Sequence, residues 1–253
     1  SSYNVHVFSE RFKMPQLNRE RKIWIYLPPN YENSRKKFPV LYLQDGQNMF
    51  DDTISFAGEW QIDETLNRLS KSKGFNLIVV AIENGGDKRL SEYAPWENKK
   101  YGIAEGDAYV DFIVNNLKPA IDKAYRTETA ANHTAIMGSS MGGLISLHAG
   151  LSNPGVFGKM MIFSPSLWIS KAIFNSTKSF KPLQESKIYL YSGGQESKEH
   201  LPNAQKFEGI IRKKMVKGHH IDFHFSVNEF GNHSEVHWRE EFPKAVKWLF
   251  FNK

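Results

Sequence analysis

Hydrophobic positions along this chain fall into two alternating rhythms, and their alternation predicts a layered α/β architecture. Residues 22–27 alternate apolar and polar side chains, the period of an edge or half-exposed strand. Residues 38–43 and 77–82 are almost continuously apolar, as expected of parallel strands covered on both faces. Between Asp107 and Tyr125, apolar residues recur at Val110, Ile113, Leu117, Ile121 and Ala124, one face of an amphipathic helix. Pro119 inside that pattern predicts a kink. Apolar runs at 134–137, 159–163, 188–191 and 221–227 read as further strands, and a last helix is expected over about 238–251. Strand and helix in succession imply a mostly parallel central sheet with helices on both faces, joined by right-handed crossovers. Neither an internal repeat nor a Pro/Gly-rich linker interrupts the pattern, so a single domain over 1–253 is expected.

Composition narrows the function classes. Apolar and charged fractions are ordinary for a folded globular chain, which excludes disordered and fibrous classes. No run approaches the ~18 consecutive apolar residues of a spanning helix, so no membrane span is expected. The chain opens Ser1-Ser2-Tyr3-Asn4, without a starting methionine or a basic-then-apolar leader. A signal peptide removed from that end would imply a secreted or periplasmic protein, whereas a trimmed terminus leaves the cytoplasm open. The absence of cysteine excludes disulfides, thiolate metal sites and a cysteine nucleophile. A net charge of +6 comes from scattered basic clusters, at 19–22, 35–37, 71–73, Lys99 with Lys100, and 212–214. None is interleaved with aromatic residues, so no nucleic-acid partner is expected. They read as solvated surface, with mild attraction for anionic substrates or polysaccharides as the alternative. Nothing in the pattern specifies an oligomeric state.

The chemistry concentrates at Ile136-Met137-Gly138-Ser139-Ser140-Met141-Gly142-Gly143. Ser140 stands at the centre of a Gly-x-Ser-x-Gly frame, directly after a predicted strand and before a predicted helix. A serine on such a turn is held in a strained conformation with its hydroxyl above the sheet. Gly138 and Gly142 are expected to let strand and helix approach closely. The Met141 N–H then points where an oxyanion could sit.

A nucleophilic serine needs a base and an acid that orients the base, and on this scaffold they follow in the order serine, acid, histidine. Glu196 lies on a glycine-rich turn just beyond the strand at 187–191, which makes it the candidate acid. Glu199 and Asp222 compete, but Glu199 is placed deeper in the following helix and Asp222 within a strand. His233 follows the next strand on a loop before the last helix, a placement that none of the other histidines has. His237, four residues on, is expected to open that helix and point away. The His233/His237 spacing also suggests a metal pair, but Ser234 stands where a zinc-protease helix carries glutamate. No catalytic metal and no cofactor are therefore expected. A second oxyanion donor should come from the loop 44–51, with Gln47 N–H beside Met141 N–H.

Several segments together resemble the putative esterase family, the esterase D-like branch of the α/β-hydrolases. They are Asp45-Gly46-Gln47-Asn48-Met49-Phe50-Asp51, Gly58-Glu59-Trp60, Asn84-Gly85-Gly86 with Arg89, Glu92-Tyr93-Ala94-Pro95-Trp96, and 138–143. The Gly-Asn-His233 loop with Glu235 and Trp238 resembles that family's histidine segment, so the match runs from about Arg21 to Trp248. The family includes feruloyl and acetylxylan esterases, siderophore trilactone esterases, S-formylglutathione hydrolases and mycolyltransferases. The resemblance implies an α/β-hydrolase fold, with Ser140 as nucleophile, His233 as base and Glu196 as acid. Gln44 replaces a histidine common at the oxyanion loop, and a glutamate stands where many members carry aspartate. The Cys-free chain and Gly-Ser-Ser-Met elbow argue against close kinship with the S-formylglutathione hydrolases.

Pocket candidates are aromatic: Trp60, Tyr93, Trp96 and Trp168 suit stacking on a sugar or aromatic acyl group, or ordinary core packing. Arg89 could hold a polar or anionic substrate group, or an internal carboxylate. These readings predict a serine carboxylesterase working through an acyl-enzyme on a small-molecule or glycan ester, with acetyl or feruloyl carbohydrate favoured. A siderophore trilactone esterase and a catalytically silent carbohydrate-binding relative are the alternatives.

Overall fold

The computed structural model describes residues 1–98 and 102–251, so the basic pair Lys99 and Lys100 lies outside the described residues. Among the described residues eight strands form one sheet: β1 (Val5–Met14), β2 (Arg19–Tyr26), β3 (Val40–Gln44), β4 (Ile78–Ile82), β5 (Thr134–Ser139), β6 (Lys159–Phe163), β7 (Ser186–Gly193) and β8 (Ile221–Asn228). Their order is β1-β2-β4-β3-β5-β6-β7-β8. The β1/β2 and β2/β4 pairs are antiparallel, and every other neighbour is parallel. The helices are α1 (Ile62–Lys73), α2 (Arg89–Glu92), α3 (Gly106–Phe112), α4 (Lys118–Ala124), α5 (Met141–Ser152), α6 (Ala172–Ser179), α7 (His200–Val216) and α8 (Glu235–Phe250).

The near-continuous apolar strands are explained by the two layers that cover the sheet. In β3, Val40 and Tyr42 pack on one side with α3, α5 and α7, through residues such as Phe112, Leu144 and Phe207. Leu41 and Leu43 face the other side, against Leu66 of α1 and Phe242 and Val246 of α8. Both faces of the central strands are thereby removed from water, and parallel pairing is the arrangement such strands adopt. None of the described helices is long and apolar enough to cross a membrane.

Three local features differ from the pattern. The strand expected at an edge, 22–27, is second in the sheet, because β1 covers it. Register shifts between Val7 and Ser9 and between Ser9 and Phe12 break the alternation of β1, which hides it from a period-two search. The kink expected at Pro119 is a π-turn over Ile113–Leu117, with Lys118 N–H donating to Ile113 O. Proline has no N–H for the carbonyl four residues earlier, so the backbone changes its pairing in the turn just before it. The last helix starts at Glu235 rather than near 238.

Candidate active site

Strand β5 ends at Ser139 and α5 begins at Met141, leaving Ser140 alone on the turn with φ 57° and ψ −122°. A non-glycine residue is held there only when its surroundings over-determine it. Here Ser140 N–H donates to Phe163 O at 3.0 Å, and Ser140 O accepts from Leu144 N–H and Ser166 N–H, both at 3.0 Å. The Ser140 hydroxyl lies 3.3 Å from Ser166 Oγ.

The two framing glycines are not equivalent. A Cβ on Gly138 would lie 2.3 Å from Gly142 O, whereas one on Gly142 would meet nothing closer than Gln44 O at 3.8 Å. Close approach therefore demands glycine at 138, and not, as the spacing suggested, at both positions. Gly138→Ala is expected to cost about 2–3 kcal/mol through forced overpacking, and Gly142→Ala less than about 1 kcal/mol. Urea unfolding of both variants measures the difference.

Glu196 sits on the turn after β7 with its side chain wholly shielded from solvent. One carboxylate oxygen accepts from Ser164 Oγ at 2.5 Å and from Gly193 N–H at 2.7 Å. The other lies 2.9 Å from His233 Nδ1 and 3.7 Å from His200 Nδ1. Burial raises the carboxyl's pKa, but the bonds from His233, Ser164 and Gly193 outweigh it, leaving it below the ordinary carboxylate value. The glycines of this turn let it lie against the histidine loop. A Cβ on Gly193 would fall 2.3 Å from Gly231 O, and Gln195 N–H donates to Gly231 O at 3.0 Å.

His233 is partly exposed on the loop between β8 and α8. Its ring stands edge-on to Trp238, at 4.9 Å and 86°, and packs against His200 at 4.6 Å. Trp238 Nε1 donates to Ser164 Oγ at 2.9 Å, so one chain of hydrogen bonds runs from Trp238 through Ser164 and Glu196 to His233. His237 accepts the Asn232 N–H at 3.0 Å and braces the histidine loop from within the first turn of α8. Glu199 stands at the N-cap position of α7, without a side-chain capping bond, instead of lying deeper inside it, and Asp222 lies within β8, 3.6 Å from Lys187 Nζ. The donors of Glu196, His200 and His233 converge within 4.8 Å, a spacing a metal could bridge, but each already has hydrogen-bonding partners.

Ser140 and His233 open onto one cavity of about 610 Å³, lined also by Asp45, Gln47, Asn48, Phe56, Arg89 and Glu235. Gln47 lies in a 3₁₀ turn after β3, with its side-chain oxygen accepting Asn84 N–H at 3.0 Å. Gln44, placed in that loop by the sequence, is the last residue of β3 and donates to Ser146 Oγ at 3.0 Å. Arg89 holds an internal carboxylate: Nε and Nη2 donate to the two oxygens of Asp45 at 2.9 and 2.8 Å. Burial lowers the guanidinium pKa, but Asp45 overrides it and the net direction is upward. Burial raises the pKa of the Glu235 carboxyl beside them.

The aromatic candidates fare differently. Trp60 is buried, stacked on Trp238 at 5.7 Å and edge-on to Phe163 at 5.1 Å, so it supports the site from behind. Tyr93 is fully buried beside Tyr109, and Trp96 packs edge-on against His148 at 5.2 Å. Trp168 is exposed on the turn Leu167–Ile169 and does not line the cavity. The surfaces offered to a substrate are instead Phe56 and Ala57, Asn84 and Asp87, which lie on loops and on the short 3₁₀ turn Gly86–Lys88. The one sequence cue was Phe56, an isolated aromatic in a polar loop.

Residues 14–249 match the family model described as "Putative esterase". The chain belongs to this family. The esterase is 26% identical over 248 residues to the uncharacterized protein YbbA of Bacillus subtilis, covering 91% of this chain and 92% of that protein. It is 35% identical over 157 residues to the siderophore triacetylfusarinine C esterase of Aspergillus fumigatus, covering 59% of this chain and 51% of that one. Among solved structures, the IroE-like serine hydrolase from Shewanella oneidensis superimposes with a TM-score of 0.76 at 20% identity, covering 98% of this chain and 80% of that one. The α/β-hydrolase fold expected from the motifs is thus the fold of this esterase.

Proposed function

We propose that this esterase is a serine carboxylesterase working through an acyl-enzyme, with Ser140 as nucleophile, His233 as general base and Glu196 as the acid that orients it. The observation that carries this reading is the 2.9 Å contact between His233 Nδ1 and a fully shielded Glu196, on a ring that shares a cavity with the strained Ser140. A carboxylate at Nδ1 fixes the tautomer that leaves Nε2 free to take the serine proton. The imidazolium formed on proton transfer is then stabilised by a carboxylate that three hydrogen bonds keep ionised. Gln47 and Met141 N–H are the oxyanion donors in this scheme; neither has an intramolecular acceptor among the described residues outside helix-internal pairing. Collapse of the tetrahedral species expels the alcohol, and water activated by the same histidine releases the acid.

The substrate class we infer is a siderophore ester, on two grounds. The 35% identical relative acts on one by name. The aromatic platforms that favoured a carbohydrate are mostly core, and most of the residues lining the cavity are polar or charged. Asp87 and Glu235 add carboxylates to that lining, which disfavours polyanionic ligands and favours a neutral one. A second reading, an acylated carbohydrate, is favoured by Phe56, which is 90% exposed at the cavity and presents a face for a ring. The test is kcat/KM on triacetylfusarinine C, a catecholate trilactone, acetylated xylan and methyl ferulate. A preference of at least about tenfold for the neutral siderophore lactone is expected, equivalent to roughly 1.4 kcal/mol in the transition state. Preference for acetylated xylan or methyl ferulate would move the assignment to the carbohydrate esterases.

A further inference from the structure

Away from the hydrogen-bonded array of Glu196 and His233, three carboxylates meet at the start of α1. Oxygens of Glu59, Asp63 and Glu64 lie within 4.8 Å of one another. Carboxylates brought this close repel, so such a cluster takes up either a counter-charge or a shared proton. Among the described residues no lysine, arginine or histidine nitrogen comes within 4.0 Å of these carboxylate oxygens, and Arg239 Nη1 donates to the backbone Glu59 O at 3.2 Å instead. Asp63 is the decisive member. It is fully buried, its Oδ2 accepts the Ser2 N–H at 2.6 Å, and its Oδ1 has no partner among the described residues. Glu64 Oε2 is likewise shielded and unpartnered. A buried acceptor left unmatched is costly and is rarely retained unless something binds it.

We propose that Glu59, Asp63 and Glu64 form a calcium site. An all-oxygen donor set selects a hard cation, and irregular spacing over one helical turn and its preceding loop suits calcium's flexible coordination better than magnesium's octahedron. The ion neutralises the cluster and satisfies Asp63 Oδ1. It also ties Glu59, at the end of the loop 51–61, to the first turn of α1. That loop carries Phe56 and Ala57 into the cavity, so the ion fixes one wall of the candidate active site. The proposal does not depend on the identity of the ester or on the roles given to Ser140, His233 and Glu196.

The experiment is calorimetric titration and thermal unfolding of EDTA-stripped protein with calcium chloride, repeated with magnesium chloride. Both are run on the wild type, Glu64→Gln and Asp63→Asn, the first variant guarding against misfolding of the second. At a hundredfold excess over Kd, calcium is expected to raise Tm by roughly 5–10 °C, and magnesium by less than half as much. Glu64→Gln is expected to weaken calcium binding at least about tenfold with the protein still folded. The absence of heat and of any Tm shift in the wild type overturns the proposal. So does calcium binding that is undiminished in both variants, or a magnesium response equal to that of calcium.

Discussion

Ser140→Ala should lower kcat on p-nitrophenyl acetate by about 10⁴–10⁶-fold while leaving the fold in place. The hydroxyl is the only atom removed, and alanine inherits the same backbone at φ 57°, so the strain of the turn is unchanged. Its hydrogen bond, to Ser166 Oγ at 3.3 Å, is long, and its loss should cost no more than about 1 kcal/mol of stability. Catalysis, by contrast, loses the atom to which the acyl group is transferred, and with it the covalent intermediate. Whatever activity survives reports the oxyanion donors and binding alone. Ser166→Ala is the control, because Ser166 is buried next to Ser140 and a misplaced assignment would fall on it first. Its kcat should drop less than about tenfold. Equal turnover by wild type and Ser140→Ala would remove Ser140 as the nucleophile and with it the proposed scheme.

The sequence carried the elbow and the histidine loop because backbone geometry restricts which residues can stand there. A positive φ between a buried strand and a helix needs small neighbours, and the 2.3 Å approach of a Gly138 Cβ to Gly142 O shows how little room remains. The approach of Glu196 to His233 has the same origin: the turn after β7 lies against the loop of His233, and Gly193 is the mark of that contact. What the sequence hid was set by tertiary packing. Trp60 and Tyr93 are hydrophobic residues in motif-rich segments, and composition does not tell a substrate platform from the core behind it. Arg89 could have faced a ligand or a carboxylate, and only the fold brings Asp45 to it from 44 residues away. Ser164, Trp238 and His200 are ordinary residues in the sequence that become neighbours of the Glu196 and His233 pair through three different loops and helices. Strand β1 escaped because its bulges shift the alternation that defines a strand.

Glu196→Gln is expected to lower kcat by about 10³–10⁴-fold with KM nearly unchanged. The amide fills the same volume, but it can place a donor where His233 Nδ1 also donates. The ring then loses the tautomer that presents a basic Nε2, and an imidazolium formed there faces a neutral group. An effect on kcat rather than KM marks a residue that orients the base without touching the ester. The same substitution has a signature in stability. The folded-state pKa of Glu196 lies below its ordinary value, because the bonds from His233, Ser164 and Gly193 outweigh the cost of burial. Over the interval between the folded and unfolded pKa, the unfolded chain therefore binds more protons than the folded one. The stabilisation is fully present above the unfolded value, near pH 4.5, and is lost as pH falls through the folded value. Glutamine abolishes this dependence, so the fall in unfolding free energy between about pH 6 and pH 3 should be shallower in the variant than in the wild type. A variant that keeps wild-type kcat and the wild-type pH slope would place the orienting acid elsewhere.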